Sequence, residues 1–354
     1  MSKLYSIQML RGLAAVAVVI DHVTHYMHQS FDGESWLYSS NIYNVGGFGV
    51  DLFFCISGFI MVITTYNRPS GLSQSLSFLK KRFLRIYPTY WFYCIITITL
   101  PLILYGKTDL ISKYDSLFLL QSFLLLPAKI SEKSFSPFLG QGWTLQYELY
   151  FYILFALTII FFKGFKVPFY CALLMISMLI ISLNIDINSY VDYLASNTII
   201  IDFIMGMLSA YFYIKVSVKG ISINIKTGLA LVVILISLIS CIIINKYPID
   251  RIIVFGIPSF FIVTIFSLIN VNPCSLTNRV IIQAGEASYT IYLAHMIFIW
   301  TAIKYSYLLK YFYPDAAILL VSLVICIFSY LLYLSFEKPL TNRLMSIRKK
   351  QAQL

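Results

Sequence analysis

Apolar runs of about twenty residues recur along the whole of this 354-residue chain. Such a run leaves no side for water, so its backbone N–H and C=O groups must pair within the segment, which a helix does and an open strand does not. The chain is 59% hydrophobic and only 12% charged, with a mean hydropathy of +0.82. A soluble fold of this size needs far more polar surface. The expected fold class is therefore all-α: a polytopic membrane helical bundle of about ten transmembrane helices, with 1–354 as a single integral-membrane domain. The expected spans are 7–26, 45–65, 86–106, 142–162, 167–184, 196–214, 228–245, 251–269, 288–306 and 316–336. The segment 117–126 (LFLLQSFLLL) is too short to cross and reads as an interfacial or re-entrant helix. The first span has no A-x-A cleavage site, and Asp21-His22 interrupts the place for one, so it reads as retained.

Charge orients the spans. With both termini cytoplasmic, seventeen Lys and Arg fall in inside segments and eight in outside segments, and Arg11 lies within the membrane. That bias obeys the positive-inside rule. The net charge of +11 is thus explained by the bilayer as partner, and nucleic acid is not implied. Five of the six cysteines fall in spans and Cys274 in an inside loop, so no disulfide is expected.

Ionisable residues inside lipid are functional candidates. Arg11 and His22 are eleven residues apart, within about 20° of three full helical turns, so they share one stripe of the first span about 16 Å apart. The alternating topology puts Asp21 and His22 in the outer third of the first span. Asp51, Glu148 and Asp202 lie a few residues inside the outer ends of the second, fourth and sixth spans. Arg11 falls in the inner third, Arg82 and Arg85 at the inner mouth of the third span, and His295 in the inner-to-middle part of the ninth. The pattern is basic toward the cytosol and acidic and His-bearing toward the exterior. Structural readings stand beside the functional ones: Asp51 as the partner of a buried cation, Glu148 and Asp202 as partners of Arg11 or of tyrosine hydroxyls, and His295 as a hydrogen-bonded core residue. Trp143, Tyr147 and Tyr150 are candidates for stacking on sugar rings at the outer mouth. Gly46, Gly47, Gly49 and Gly58 permit close helix approach, and no Walker Lys-Ser/Thr follows them. No zinc-ligand spacing and no Gly-x-Ser-x-Gly elbow occur, so no metal is expected.

Several motifs in order resemble the membrane acyltransferase-3 family. LRGLAAVAVVIDH, with Arg11 and His22, is similar to its first-helix signature, and GGFGVDLFFCISGFIM to its second helix. FLKKRFLRIYPTYW resembles its Arg-x-x-Arg-x-Tyr-Pro element through Arg82, Arg85, Tyr87 and Pro88. GWTLQYELYFY resembles its Trp-x-Leu-x-x-Glu-x-x-Phe/Tyr helix through Trp143, Leu145, Glu148 and Phe151. ASYTIYLAH and FEKP are similar to its last two helices. Family members move acyl groups, mostly acetyl from acetyl-CoA, onto sugars. Some carry a C-terminal SGNH hydrolase-like domain. This chain runs about 18 residues past its last expected span, so the variant without that domain is expected.

The resemblance implies a transmembrane O-acyltransferase of a bacterial inner (cytoplasmic) membrane. It would take acetyl from cytoplasmic acetyl-CoA, a substrate and not a resident cofactor, to a hydroxyl of a cell-surface or lipid-linked glycan such as an O-antigen, exopolysaccharide or capsule. His22 is then the general base or a transient acyl acceptor, with Glu148 or Asp21 orienting its ring. Arg11, Arg82, Arg85 and Tyr87 hold the donor, guanidinium forks suiting phosphate. Asp51, Trp143, Asp202 and His295 line the pocket. Partners are acetyl-CoA, the glycan acceptor, the bilayer and glycan-assembly proteins. The alternative is a polytopic transporter or exporter of a polysaccharide precursor, because buried charge serves transport as well. No pair of similarly broken helices marks two inverted halves, which favours the enzyme.

Overall fold

A computed structural model describes residues 4–105, 114–131, 134–185, 189–220, 222–244 and 249–351. Lys3, Lys107, Lys113, Lys133 and Lys246 of the charge count lie outside these residues, as do the last positions of the spans drawn to 106 and 245. The described chain is helical: α1 (Tyr5–Met27), α2 (Phe48–Thr65), α3 (Leu72–Tyr105), α4 (Ser116–Phe123), α5 (Trp143–Phe161), α6 (Lys166–Asn184) and α7 (Ser189–Ala195), then α8 (Ile199–Ser217), α9 (Ile225–Ile244), α10 (Ile257–Leu268), α11 (Leu276–Glu286), α12 (Ser288–Lys304), α13 (Pro314–Leu332) and α14 (Lys338–Gln351). One small antiparallel pair, β1 (Lys129–Ser131) with β2 (Ser134–Phe135), follows α4. Among the described residues six helical stretches are long and apolar enough to cross a membrane: Tyr5–Ser30, Ile42–Thr65, Gly140–Phe161, Lys166–Asn184, Ile199–Ser217 and Pro314–Leu344. The protein is thus an all-α integral membrane protein. The spans expected at 86–106, 228–245, 251–269 and 288–306 fall on helices outside that set: α3 carries Lys80, Lys81, Arg82 and Arg85 in its first half, α12 has only 17 residues, and Thr227–Ile236 and Ile252–Leu268 are shorter apolar stretches.

The chain divides into two compact units, one of Met1–Thr64 with Ile201–Leu334 and one of Thr65–Ile200 with Ser335–Leu354. In the first, α1 is the central element. It packs on α10, α11, α12, α13 and the turn Ile42–Gly47. Its apolar stripe Ala15, Val19 and Val23 is buried against Ile291 of α12 and Ile318 and Val321 of α13. The approach of the Ile42–Gly47 turn depends on glycine. A Cβ at Gly46 would lie 2.3 Å from the Ala17 carbonyl oxygen and 2.4 Å from the Asp21 Cβ. A Cβ at Gly206 of α8 would lie 1.9 Å from the Cys55 carbonyl oxygen of α2, so those two backbones touch. Helix α11 lies in a stretch expected to be a loop. It has 11 residues and mixes Asn278, Arg279 and Gln283 with its apolar side chains, so a search for long apolar runs passes over it.

In the second unit α3 packs on α5, and α5 on α6 and α7. The segment expected to be a short interfacial or re-entrant helix forms α4, with Asp115 capping its start by accepting from the Phe118 N–H at 2.7 Å. Its other end would leave carbonyls without partners. Three donors from α3 take them: the Tyr90 hydroxyl donates to Ser122 O, the Trp91 indole to Phe123 O and the Tyr87 hydroxyl to Leu124 O, each at 2.8 Å. The Gln146 amide of α5 then donates to Leu126 O at 2.8 Å.

Candidate active site

In the first unit the polar side chains of α1 sit on a helix otherwise built to pack. His22 is half-buried, and its Nδ1 lies 2.9 Å from the Val18 carbonyl oxygen one turn back. A carbonyl only accepts, so Nδ1 carries the hydrogen and the neutral ring keeps its lone pair on Nε2. The ring's tautomer is therefore set by the backbone of its own helix, where a carboxylate was expected. Asp21 is turned to the glycine-bearing Ile42–Gly47 segment, with its Cβ against Gly46. Arg11 is half-buried near the N-terminal end of the stripe, its guanidinium 3.5 Å from the Gln8 carboxamide oxygen.

His295 of α12 is fully buried and meets His22 edge-on, with ring centroids 5.0 Å apart and planes at 70°. The expected depth of His295, closer to the cytosol than His22, is corrected by this contact: the two imidazoles share one level. Counting residues from span ends took the stretch before 288 as a loop, whereas α11 (Leu276–Glu286) leads directly into α12. His295 Nδ1 lies 2.6 Å from the Tyr292 carbonyl oxygen, so this ring too keeps its lone pair on Nε2. Just past the C-terminal end of α1, His28 stacks on Tyr38 at 3.5 Å, and Tyr26 stands between His22 and Trp300.

Asp51 pairs with a cation, but an exposed one where its structural reading called for a buried one. The cation is Arg251, which was counted in an outside loop. Its fork grips the carboxylate with both arms, Nε to Oδ1 at 3.1 Å and a terminal nitrogen to Oδ2 at 2.7 Å. Asp51 is 1% exposed and the arginine side chain 47% exposed, so the guanidinium reaches inward from an accessible stem. Asp202 of α8 lies beside Asp51, and its buried Oδ1 has no hydrogen-bond partner among the described residues. The close backbone contact at Gly206 is what allows α2 and α8 to bring the two carboxyls together.

In the second unit Arg82 is buried, 8% exposed, with its guanidinium carbon 5.2 Å from the ring centres of both Phe78 and Tyr152. The Tyr152 hydroxyl donates to the Glu148 carboxylate one turn earlier on α5. Glu148 thus has a tyrosine partner, one of the structural roles weighed for it. Arg85, one turn on from Arg82, is exposed. Tyr87 has its hydroxyl committed to Leu124 O and its ring against Phe83 and Trp91. Trp143 meets Tyr147 edge-on, and the Tyr147 hydroxyl donates to Tyr193 O at 2.7 Å. Tyr150 hydrogen-bonds the Met178 sulfur. Of the aromatic residues considered as sugar platforms, Tyr147 is buried and Trp143 and Tyr150 are half-buried.

Two residues escaped the sequence reading. Arg251 had a signal: it precedes the apolar run of α10 directly, at the end of the membrane where Asp51 was placed. Tyr152 also had one, since it follows Glu148 by four residues on a helix. Among the described residues no three His, Cys, Asp or Glu side chains group as a metal site.

Comparison with known proteins identifies the family of the chain. The family model described as an acyltransferase domain matches residues 4–334. The exopolysaccharide production protein ExoZ of Rhizobium meliloti (strain 1021) is 27% identical over 255 residues, covering 72% of this chain and 76% of that protein. No solved structure matches. With nearly its whole length matched, and with apolar helices that carry a buried arginine, carboxylates and two adjoining imidazoles, the chain belongs to the membrane acyltransferase-3 family.

Proposed function

We propose that this acyltransferase moves an acetyl group from cytoplasmic acetyl-CoA to a hydroxyl of an exopolysaccharide or its lipid-linked precursor, in a bacterial inner membrane with both chain termini cytoplasmic. The similarity to a protein named for exopolysaccharide production supports the acceptor class. The observation that carries the chemistry is His22: its Nδ1–H is held by Val18 O, so Nε2 is the ring's free base. An alcohol is a poor nucleophile at neutral pH, and a neutral imidazole removes its proton as the thioester is attacked. Direct transfer needs no further group. A transient acyl-His22 would use the same lone pair as nucleophile.

The donor is assigned to the basic residues. Arg85 is exposed and suits phosphate. Arg82 lies beneath it among rings, and its role is to hold the Glu148–Tyr152 network that supports that end of α3. Arg11 is assigned to the pantetheine arm or a diphosphate oxygen, and the Tyr87 ring, with its hydroxyl committed, to packing on the donor. Asp21 and Glu148 remain supporting carboxylates, Asp51 and Asp202 shape the wall around α2 and α8, and Trp143 flanks the acceptor side. Partner proteins of glycan assembly would supply the acceptor.

The test is direct. Purified protein in detergent, given labelled acetyl-CoA and exopolysaccharide from its host, forms an alkali-labile O-acetyl ester. His22→Ala abolishes that ester while the protein stays folded. Unchanged ester formation by His22→Ala removes the assignment. An exporter would give no ester in detergent and would need a sealed vesicle to act.

A further inference from the structure

We infer that the exposed faces of Tyr26 and Trp300 form the platform on which a sugar ring of the acceptor glycan stacks, with one of its rim hydroxyls delivered to His22. This rests on the proposed acceptor class and on the reading of His22 as the base.

Four observations carry it. Tyr26 follows His22 by four residues, so it stands one turn on along the same face of α1. The two rings are 6.3 Å apart, with planes only 21° from parallel. Trp300 reaches the same place from α12, its ring 5.8 Å from that of Tyr26 and inclined to it by 47°. Rings so inclined do not cover each other, and Tyr26 is 40% and Trp300 59% exposed. His25 meets Tyr26 edge-on at 5.0 Å and lies 6.2 Å from Tyr43 of the Ile42–Gly47 turn. The Tyr26 face is thus positioned before a ligand arrives, which lowers the cost of binding. Finally, the Nδ1–H of His22 is spent on Val18 O in the preceding turn. The two nitrogens of an imidazole point away from each other, so the Nε2 lone pair opens away from that turn.

The chemistry of the platform selects a saccharide. An aromatic face carries negative charge, and the polar tip of Tyr or Trp lies at the ring edge. A pyranose matches both, because its polarised C–H bonds line its faces and its hydroxyls project around the rim. Stacked on these rings it buries an apolar face and leaves the rim for His22. Tyr and Trp supply such contact at little entropic cost. Contact with lipid chains selects differently: α13 exposes Leu319, Leu323, Ile327 and Phe328. The structural alternative is an interfacial belt, in which Trp and Tyr sit at headgroup level. Tyr307, just beyond α12, fits that role, being 64% exposed and without a ring contact among the described residues. Tyr26 and Trp300 differ from it in adjoining each other and, through Tyr26, the base.

The experiment uses the full-length protein in detergent and oligosaccharides released from the host's exopolysaccharide, with their esters removed by mild alkali. Binding is measured by calorimetry without donor, and ester formation with labelled acetyl-CoA. Tyr26→Leu and Trp300→Leu keep apolar bulk and remove the flat face, whereas Tyr26→Phe and Trp300→Phe keep a face. We expect each Leu variant to raise the oligosaccharide Kd and the acceptor KM about tenfold, with KM for acetyl-CoA and the thermal midpoint unchanged. Each Phe variant should recover most of both, and Tyr307→Leu should match the parent. If a Leu variant does not fold, Tyr26→Ala or Trp300→Ala takes its place. Parent-like Kd and acceptor KM in both Leu variants, a rise matched by Tyr307→Leu, or an equal rise in KM for acetyl-CoA overturns the inference. Ester formation that survives in those cases leaves the proposed function standing. Ring-dependent binding with no ester from the parent does the reverse: it supports the platform and removes the proposed chemistry.

Discussion

The imidazoles of the first unit and the arginine cluster of the second are both polar inclusions in apolar helices, but they differ in what they have left to give. His22 and His295 are each pinned by one backbone carbonyl, and each keeps an Nε2 lone pair. Arg82 lies over two aromatic rings, and Tyr152 is bonded to Glu148. The Asp51–Arg251 fork resembles the second case, with both carboxylate oxygens gripped. In lipid an idle polar atom is costly. Side chains that satisfy one another therefore read as scaffold, and an imidazole held in place with its basic lone pair uncommitted to the backbone reads as the place where chemistry happens.

The sharpest way to break this contrast is His22→Ala. Turnover is expected to fall about 10²- to 10⁴-fold, with the thermal midpoint in detergent unchanged; an unfolded variant would make His22 scaffold too. Arg251→Ala should do the opposite. It strands a buried carboxylate, so stability should drop by about 3 kcal/mol, read from a denaturant titration in mixed micelles, with turnover per folded molecule little altered. Gly206→Ala tests the backbone contact that joins α2 to α8: loss of monodisperse protein is expected, against no change for Gly140→Ala, where an added Cβ meets nothing within 4 Å. The mildest change is Tyr152→Phe. It keeps the ring beneath Arg82 and removes the bond to Glu148, so about 1 kcal/mol of stability and only a few-fold of turnover should be lost. A collapse of turnover there would move Glu148 from scaffold into the chemistry.

Much of this architecture was legible in the sequence because lipid leaves so few options. The apolar runs predicted helices at the right places, and the Arg11–His22 spacing followed from helical pitch alone. The short segment 117–126 read correctly as a helix apart from the spans. What escaped depended on partners remote in sequence. Nothing near Asp51 points to Arg251, two hundred residues on. The level of His295 depends on α11, a mixed polar helix invisible to a hydropathy window. The orientation of His22 was sought in a carboxylate, and the Val18 carbonyl supplied it, because every helical residue offers an oxygen that sequence does not display.

The three α3 side chains that grip the end of α4 have a consequence for variation. Tyr87, Tyr90 and Trp91 hold Ser122, Phe123 and Leu124 by their carbonyls and not by their side chains. A clasp on main-chain oxygens is indifferent to which amino acids present them. At Phe123 and Leu124 the clasped stretch is thus free to change its letters without detaching, whereas fully buried Ser122, whose Oγ accepts from the Phe138 N–H at 2.9 Å, is not.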